Sequence, residues 1–106
     1  MFDLEKINGN EIIPGCYGKF VHGKNITIAF WTVKKGSSIP EHSHINEQSL
    51  FVKKGIFKLV MNNKTHLLKK NQLIMIASNI KHSGTAISDC ELIDVFSPSR
   101  KEYIYK

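Results

Sequence analysis

The segment that decides the fold runs from residue 36 to residue 48 and reads Gly36-Ser-Ser-Ile-Pro-Glu-His42-Ser-His44-Ile-Asn-Glu-Gln48. His42 and His44 are two positions apart, so a strand would direct both imidazoles toward the same face. Gln48 keeps that parity if the strand continues, and its amide oxygen is a weaker but usable metal ligand. The spacing therefore predicts that these side chains converge.

A third histidine, His82, follows the predicted turn at Ser78 and Asn79. Three imidazoles and one side-chain oxygen are a suitable ligand set for a borderline divalent metal. The sequence thus predicts one divalent ion, which could be Zn, Ni, Mn, Fe or Co, held by His42, His44, Gln48 and His82. Gln48 could instead line the pocket without binding the ion, leaving a three-histidine site with open positions.

The remaining two histidines are interpreted as structural. His22 stands beside Gly23 in a predicted turn. His66 lies in the return strand of a predicted hairpin and has no partner histidine at a ligand spacing. A single histidine on a strand is more often a packed or surface residue than a ligand.

Most of the chain is predicted to form strands and turns. No stretch of twelve or more residues shows a convincing helical period, and β-branched or aromatic runs end at Gly, Asn or Pro. Asn62 and Asn63 tolerate the left-handed conformation of a tight hairpin. Strands at such regular intervals predict an all-β sandwich or barrel. The predicted strands cover residues 26–33, 49–52, 56–61, 65–68, 73–76 and 91–96.

Length and composition predict one small globular domain over residues 1–106, because 42% of the residues are hydrophobic and 23% are charged. No apolar run approaches the roughly 18 residues of a membrane span, and the first residues lack the apolar stretch of a secretory signal. We therefore expect a cytoplasmic protein with no membrane partner. Cys16 and Cys90 are too few for a disulfide framework and are expected to be reduced, partly buried thiols.

The net charge of +6 raises the question of nucleic acid binding. The basic residues are lysines with the single exception of Arg100, and they are spread along the chain, often beside turn residues. A protein that reads bases would usually show clustered arginines and a recognisable motif. We therefore expect solvated lysines at loop tips and no nucleic-acid partner.

Residues 90–96 alternate so that the even-numbered side chains share one face. Asp94 then lies between Leu92 and Phe96 on an apolar face, where an unpaired charge is costly. Asp94 either is exposed at a sheet edge, where it could pair with a lysine, or is a general acid/base inside the barrel. Arg100 is either a surface residue of the tail or a planar fork for a carboxylate.

Residues 36–55 resemble the first motif of the cupin family, in which Gly, His-x-His, Glu and Gly stand at the spacing found here. Gln48 occupies the usual Glu position. The second motif is matched only by its histidine, and its Gly, Pro, Gly, His and Asn positions hold Asn71, Ala77, Asn79, His82 and Ala86. The resemblance covers roughly residues 26–100. It implies a small all-β cupin jelly-roll barrel (a double-stranded β-helix) with the site inside its mouth.

Residues 94–103 resemble the C-terminal signature of the pectin-degradation cupins, metal-dependent enzymes that promote ring opening of unsaturated monouronates. Glu102 stands where that group often has Asp. The resemblance implies an isomerase acting on a small anionic sugar acid, with Asp94 shuttling a proton, Arg100 holding the carboxylate and Phe96 packing on the sugar ring. By the same resemblance the metal ligands are His42, His44, Gln48 and His82.

Two other functions stay open at this level, an Fe(II)-dependent cupin dioxygenase and a sugar-binding cupin without turnover. Three-histidine sites support oxygen chemistry elsewhere, so the ligand set does not separate them. The resemblance also implies a homodimer. Its contact is expected in the N-terminal segment that carries Ile12, Ile13 and Tyr17.

Overall fold

The computed structural model describes residues 1–104, which form two antiparallel sheets. One sheet has six strands in the order β1-β2-β3-β10-β5-β8, and the other has four in the order β4-β9-β6-β7. Two 3-10 turns cover Leu4–Lys6 and Lys101–Tyr103, and no helix among the described residues is long and apolar enough to cross a membrane. The strands are β1 Asn10–Ile13, β2 Cys16–His22, β3 Thr27–Val33, β4 Ser38–His42, β5 Glu47–Lys54, β6 Phe57–Met61, β7 Lys64–Leu68, β8 Leu73–Ile76, β9 His82–Ala86 and β10 Cys90–Ser97.

Strand β10 lies near the middle of the six-stranded sheet, between β3 and β5. Burial alternates strictly from Cys90 to Phe96, with even-numbered residues buried and odd-numbered ones partly exposed. The predicted alternation is therefore confirmed, and Asp94 faces the interior. The alternative that Asp94 is exposed at a sheet edge is wrong.

The inner faces of the two sheets enclose one apolar core. Both cysteines are free, as expected, and they are more completely buried in this core than expected, each with a relative exposure of 1%. Burial of large aliphatic and aromatic side chains supplies the main driving force for closing the two sheets on one another. The largest of them are Val33, Val52, Phe57, Leu59, Ile76 and Phe96.

Asparagines form the tight turns that the sequence predicts. Asn62 and Asn63 have φ of 52° and 60°, and β6 and β7 pair directly on either side of them. Asn71 and Asn79 also have positive φ, 70° and 64°. These two residues stand where the second cupin motif has Gly, and Asn is the side chain that best tolerates this conformation. The departure from the motif thus preserves the backbone geometry.

Strands β1, β2, β4 and β9 were missed by the sequence pattern. Gly18, Pro40 and Gly84 interrupt the last three, and both residue types are depleted in strands. Pro40 is tolerated because β4 is an edge strand whose register shifts between Ile39 and His42. The turn predicted at His22 is wrong in position, since that residue ends β2.

Gly55 and Gly36 offer a matched pair of substitutions. Both have a positive φ, +90° and +84°, a conformation that costs an alanine about 1–2 kcal/mol. A Cβ on Gly55 would also overlap the carbonyl oxygen of Asp89, whereas one on Gly36 would meet nothing within 4 Å. We expect Gly36→Ala to lower the free energy of unfolding by about 1–2 kcal/mol and Gly55→Ala by about 2–5 kcal/mol in urea denaturation. Equal losses would contradict the packing described for Gly55.

Candidate active site

Three histidine rings converge at the junction of the two sheets. His42 ends β4 and His82 begins β9, where the two residues are paired in register with ring centroids 4.3 Å apart. His44 lies in the connection to β5, with its ring centroid 5.0 Å from that of His82. One ring nitrogen from each histidine lies within 4.8 Å of the other two. The prediction of a common strand for His42 and His44 is wrong, because the chain leaves the four-stranded sheet after His42.

Backbone carbonyls orient all three rings in the same way. Each Nδ1 lies 2.8–3.0 Å from the carbonyl oxygen of a residue two positions away. In the neutral ring Nδ1–H donates to that oxygen, which leaves the Nε2 lone pair free to bind a cation. The accepting carbonyls belong to Pro40, Asn46 and Ile80.

The donor set fits a divalent metal. His82 Nε2 is buried and has no hydrogen-bond partner in the protein, and burial lowers the pKa of His82 to about 4. Burial, and then the charge of Arg100, also lower the pKa of His44. Gln48 Oε1 lies 3.0 Å from His44 Nε2, so two acceptors face each other when His44 donates through Nδ1. A shared cation would satisfy both groups.

A cavity of about 280 Å³ opens beside this cluster. Six of the seven predicted site residues line it, and His44 is the exception. The His44 ring lies 5.6 Å from that of Phe96, which does line the cavity, in an edge-to-face contact. The six lining residues are His42, Gln48, His82, Asp94, Phe96 and Arg100. The rest of the wall is largely apolar and includes Ile13, Ile39, Leu50, Phe57, Leu59 and Leu92.

Asp94 is the buried carboxyl group of the cavity, with a relative exposure of 6%. Burial raises its pKa to about 7, although donors on Gln48 and Trp31 and the charge of Arg100 oppose the rise. Its Oδ1 nevertheless makes no hydrogen bond of regular geometry within the protein. Asp94 can therefore exchange a proton near neutral pH.

Arg100 is also buried, with a relative exposure of 7%, so the alternative of a surface residue in the tail is wrong. Its Nε donates to Glu102 Oε2 at 2.8 Å. Its guanidinium carbon lies 4.8 Å and 4.6 Å from the ring centroids of Phe96 and Tyr103. This stacking leaves the terminal nitrogens as the groups that could bind a carboxylate.

Two cavity residues, Trp31 and Tyr103, were missed by sequence reasoning. Trp31 pairs with Leu92 and shares its inward face, which the alternation along β3 could have indicated. The position of Tyr103 depends on the tertiary path of the tail. His22 helps to hold that tail, because its Nε2 lies 3.2 Å from the Tyr103 carbonyl oxygen while Nδ1 lies 2.9 Å from Thr27 Oγ1.

Comparison with known proteins shows the family to which the chain belongs. The cupin domain family matches residues 29–96, and the chain belongs to that family. The pectin degradation protein KdgF of Dickeya dadantii is 31% identical over 72 residues, which are 66% of this chain and 66% of that protein. The solved structure of KdgF from Halomonas sp. has a TM-score of 0.92 at 20% identity, covering 98% of this chain and 97% of its own. An RmlC-like cupin from Shewanella frigidimarina has a TM-score of 0.93 at 19% identity, with 98% and 95% covered.

Asp94 and His82 should affect the stability of the metal-free protein in opposite directions. Folding raises the Asp94 pKa from 3.8 to about 7, so its stabilisation is full below pH 3.8 and is lost as the pH rises through 7. Folding lowers the His82 pKa from 6.5 to about 4, so its stabilisation is full above pH 6.5 and is lost as the pH falls through 4.

Asp94→Asn should remove the first effect, since the amide resembles the protonated acid. Its unfolding free energy relative to the parent protein should rise between pH 4 and pH 8 by up to about 4 kcal/mol, measured by urea denaturation with chelator present. Glu91→Gln is the control, because Glu91 lies on the outer face of the same strand, 4.0 Å from Lys53. An Asp94→Asn difference that stays constant across this pH range would contradict the assignment.

Proposed function

We propose that this chain is a metal-dependent enzyme that opens the ring of a small anionic sugar acid, such as an unsaturated monouronate. One observation carries the proposal: Asp94, with a pKa of about 7, shares a cavity with Arg100 and two of the three clustered histidines. A carboxyl group that titrates near neutral pH can both accept and return a proton. The relationship to a pectin degradation protein supports the substrate class, because pectin consists largely of uronic acids.

A bound dication, together with Arg100, would favour an anionic substrate although the carboxyl groups of Glu41 and Asp94 also line the cavity. The proposed ligands His42, His44, His82 and Gln48 are all neutral, so they would not compensate the charge of a dication. Arg100 adds a buried positive charge whose terminal nitrogens suit a carboxylate. The cavity of about 280 Å³ lies just below the roughly 300–1,000 Å³ that is typical of ligand pockets, and so suits a single sugar ring.

Ring opening of an unsaturated uronate moves one proton and changes no oxidation state overall. Asp94 would accept the proton of the anomeric hydroxyl while the bond from the anomeric carbon to the ring oxygen breaks. The electron pair goes to the ring oxygen, giving an enolate, and Asp94 returns the proton to the neighbouring alkene carbon, which leaves a ketone. A bound divalent metal would supply Lewis acidity toward a negatively charged oxygen. Phe96 would pack against the ring, with Arg100 stacked behind it.

Asp94→Asn tests the proton transfer. The amide keeps the size of the side chain but cannot accept the proton, so turnover should fall by about 10²-fold or more. The loss of ultraviolet absorbance of an unsaturated uronate measures turnover, and elemental analysis of the same samples should show unchanged metal content. Glu91→Gln, on the outer face of the same strand, should keep full activity.

Activity that survives Asp94→Asn would contradict the role of Asp94. A rate that depends on dissolved oxygen in an iron-loaded sample would instead indicate a dioxygenase. Thermal stabilisation by the uronate without any product would indicate a binding protein. Treatment with a chelator should abolish turnover, and a chelated protein with full activity would contradict the metal dependence.

We also propose a homodimer formed through the outer face of the six-stranded sheet. The strand register sets two apolar rows across that face, and Leu73 and Met75 in them are more than half exposed. The rows cross four and five strands, which is roughly 19–24 Å at about 4.8 Å per strand, and they lie about 7 Å apart along the strands. The first row consists of Phe30, Ile93, Phe51 and Leu73, and the second of Val21, Ile28, Val95 and Met75, with Ser49 standing between Val95 and Met75. Ile12 and Ile13 line the cavity, so they are less suited to a dimer contact.

Sedimentation experiments test this interface. The parent protein should sediment as a dimer, and Phe51→Glu should convert it to a monomer because a charge would be buried in the apolar row. Leu67→Glu is the matched control, since Leu67 is 54% exposed on a strand of the other sheet. A monomeric parent protein, or a dimeric Phe51→Glu variant, would contradict the proposal.

A further inference from the structure

Three buried side-chain nitrogen or oxygen atoms in the part of the chain described here have no hydrogen-bond partner. They are Trp31 Nε1, His82 Nε2 and Asp94 Oδ1, and all three residues line the same cavity. Buried polar groups are almost always paired, so a cluster of unpaired ones marks a place where a ligand completes the hydrogen bonding. His82 belongs to the metal cluster. Trp31 Nε1 and Asp94 Oδ1 remain, and although the two groups face each other, neither makes a hydrogen bond of regular geometry.

The sheet fixes the position of Trp31 relative to Asp94. Trp31 pairs with Leu92 across β3 and β10, so Asp94 is its diagonal neighbour on the inner face. On the other side Trp31 pairs with Gly18, and a Cβ there would lie 2.9 Å from Cζ3 of the indole. The benzene edge of the indole thus occupies the space above Gly18. The indole N–H faces the Asp94 carboxyl group.

Neighbouring aromatic rings hold the indole in place. Phe20 and Tyr103 pack edge-to-face against Trp31, with centroid distances of 5.4 Å and 5.9 Å. The N–H group is therefore presented by a fixed ring rather than by a mobile side chain. This preorganisation suits a group that contacts a ligand.

The chemistry of the two atoms selects the ligand group. The indole N–H can only donate a hydrogen bond, and an ionised Asp94 can only accept one. A hydroxyl group accepts from the first and donates to the second, whereas a second carboxylate beside Asp94 would be repelled. We propose that Trp31 Nε1 and Asp94 Oδ1 form a subsite for one substrate hydroxyl. Resting on the proposed function, this is the anomeric hydroxyl of the sugar acid.

Two probes separate this subsite from general binding. One is D-galacturonate, and the other is its 1,5-anhydro analogue, which lacks the anomeric hydroxyl. Trp31 is the single tryptophan of the chain, so intrinsic fluorescence of the metal-loaded protein reports on the cavity directly. Galacturonate should change the emission and bind about 10-fold more tightly than the analogue, as expected for one hydrogen-bonded group. Equal affinity for the two probes, or binding of neither, would overturn the proposal.

Trp31→Phe provides the second arm, measured by calorimetry because the variant has no tryptophan. Its affinity for galacturonate should fall about 10-fold while its affinity for the analogue stays unchanged. A purely structural role of Trp31 would weaken both probes equally and would overturn the proposal. Tyr17→Phe, on the outer side of β2, is the control and should bind both probes as the parent protein does.

These measurements distinguish a failure of the subsite proposal from a failure of the enzymatic proposal. If the affinity for galacturonate depends on Trp31 as expected but the protein opens no unsaturated uronate, the subsite stands and the enzymatic proposal is wrong. If turnover occurs while Trp31→Phe binds both probes like the parent protein, the enzymatic proposal stands and the subsite is wrong.

Discussion

The structure depends on the crossing of the chain from one sheet to the other within residues 43–46. His42 ends a strand of the four-stranded sheet, and Glu47 begins a strand of the six-stranded sheet. Asn46 fixes this crossing twice, because its carbonyl orients His44 and its side-chain amide donates to the carbonyls of Pro98 and Ser99. The histidine cluster is thereby tied to the segment that leads into Arg100. A single connection thus sets the distance between the proposed metal ligands and the proposed substrate-binding residues.

The unpaired polar groups at one end of the cavity lower the stability of the folded protein. Small domains are stable by only about 5–15 kcal/mol, and an unpaired buried carboxyl group consumes a substantial part of that margin. The apolar core around Phe57 and Leu59 supplies stability without such groups. The unpaired polar atoms of Trp31, His82 and Asp94 are instead gathered in one place. This distribution is typical of a binding site, where a ligand and not the fold satisfies the polar groups.

The sequence predicted those features that follow from local periodicity. Alternation along residues 90–96 placed Asp94 inside, and two asparagines predicted the hairpin at residues 62–63. The spacing of the histidines predicted their convergence but for the wrong reason. A strand was expected to align His42 and His44, whereas a strand end and a loop bring them together. Local pattern carries no information on where the chain changes sheets, because that depends on the packing of distant segments.

The sequence pattern also could not predict the long-range contacts of residues that interrupt a strand or lie in the C-terminal tail. Gly18 weakens the pattern of β2, yet its missing side chain is what accommodates the indole of Trp31. Tyr103 reaches the cavity only because the tail folds back onto His22. In both cases a residue that looks uninformative locally is explained by a contact more than ten residues away in the chain.

Gln48 contacts both the histidine cluster and Asp94. Its Oε1 faces His44, and its side chain also faces Asp94, where it opposes the rise of the carboxyl pKa. A glutamate at this position, as the first cupin motif usually has, would place a second carboxylate next to Asp94. Two carboxylates in one buried site titrate as a coupled pair, which drives the pKa of one of them further upward. The neutral amide keeps the pKa of Asp94 close to 7 and still directs an oxygen toward the histidine cluster. The departure from the motif is therefore consistent with a site that uses Asp94 for proton transfer.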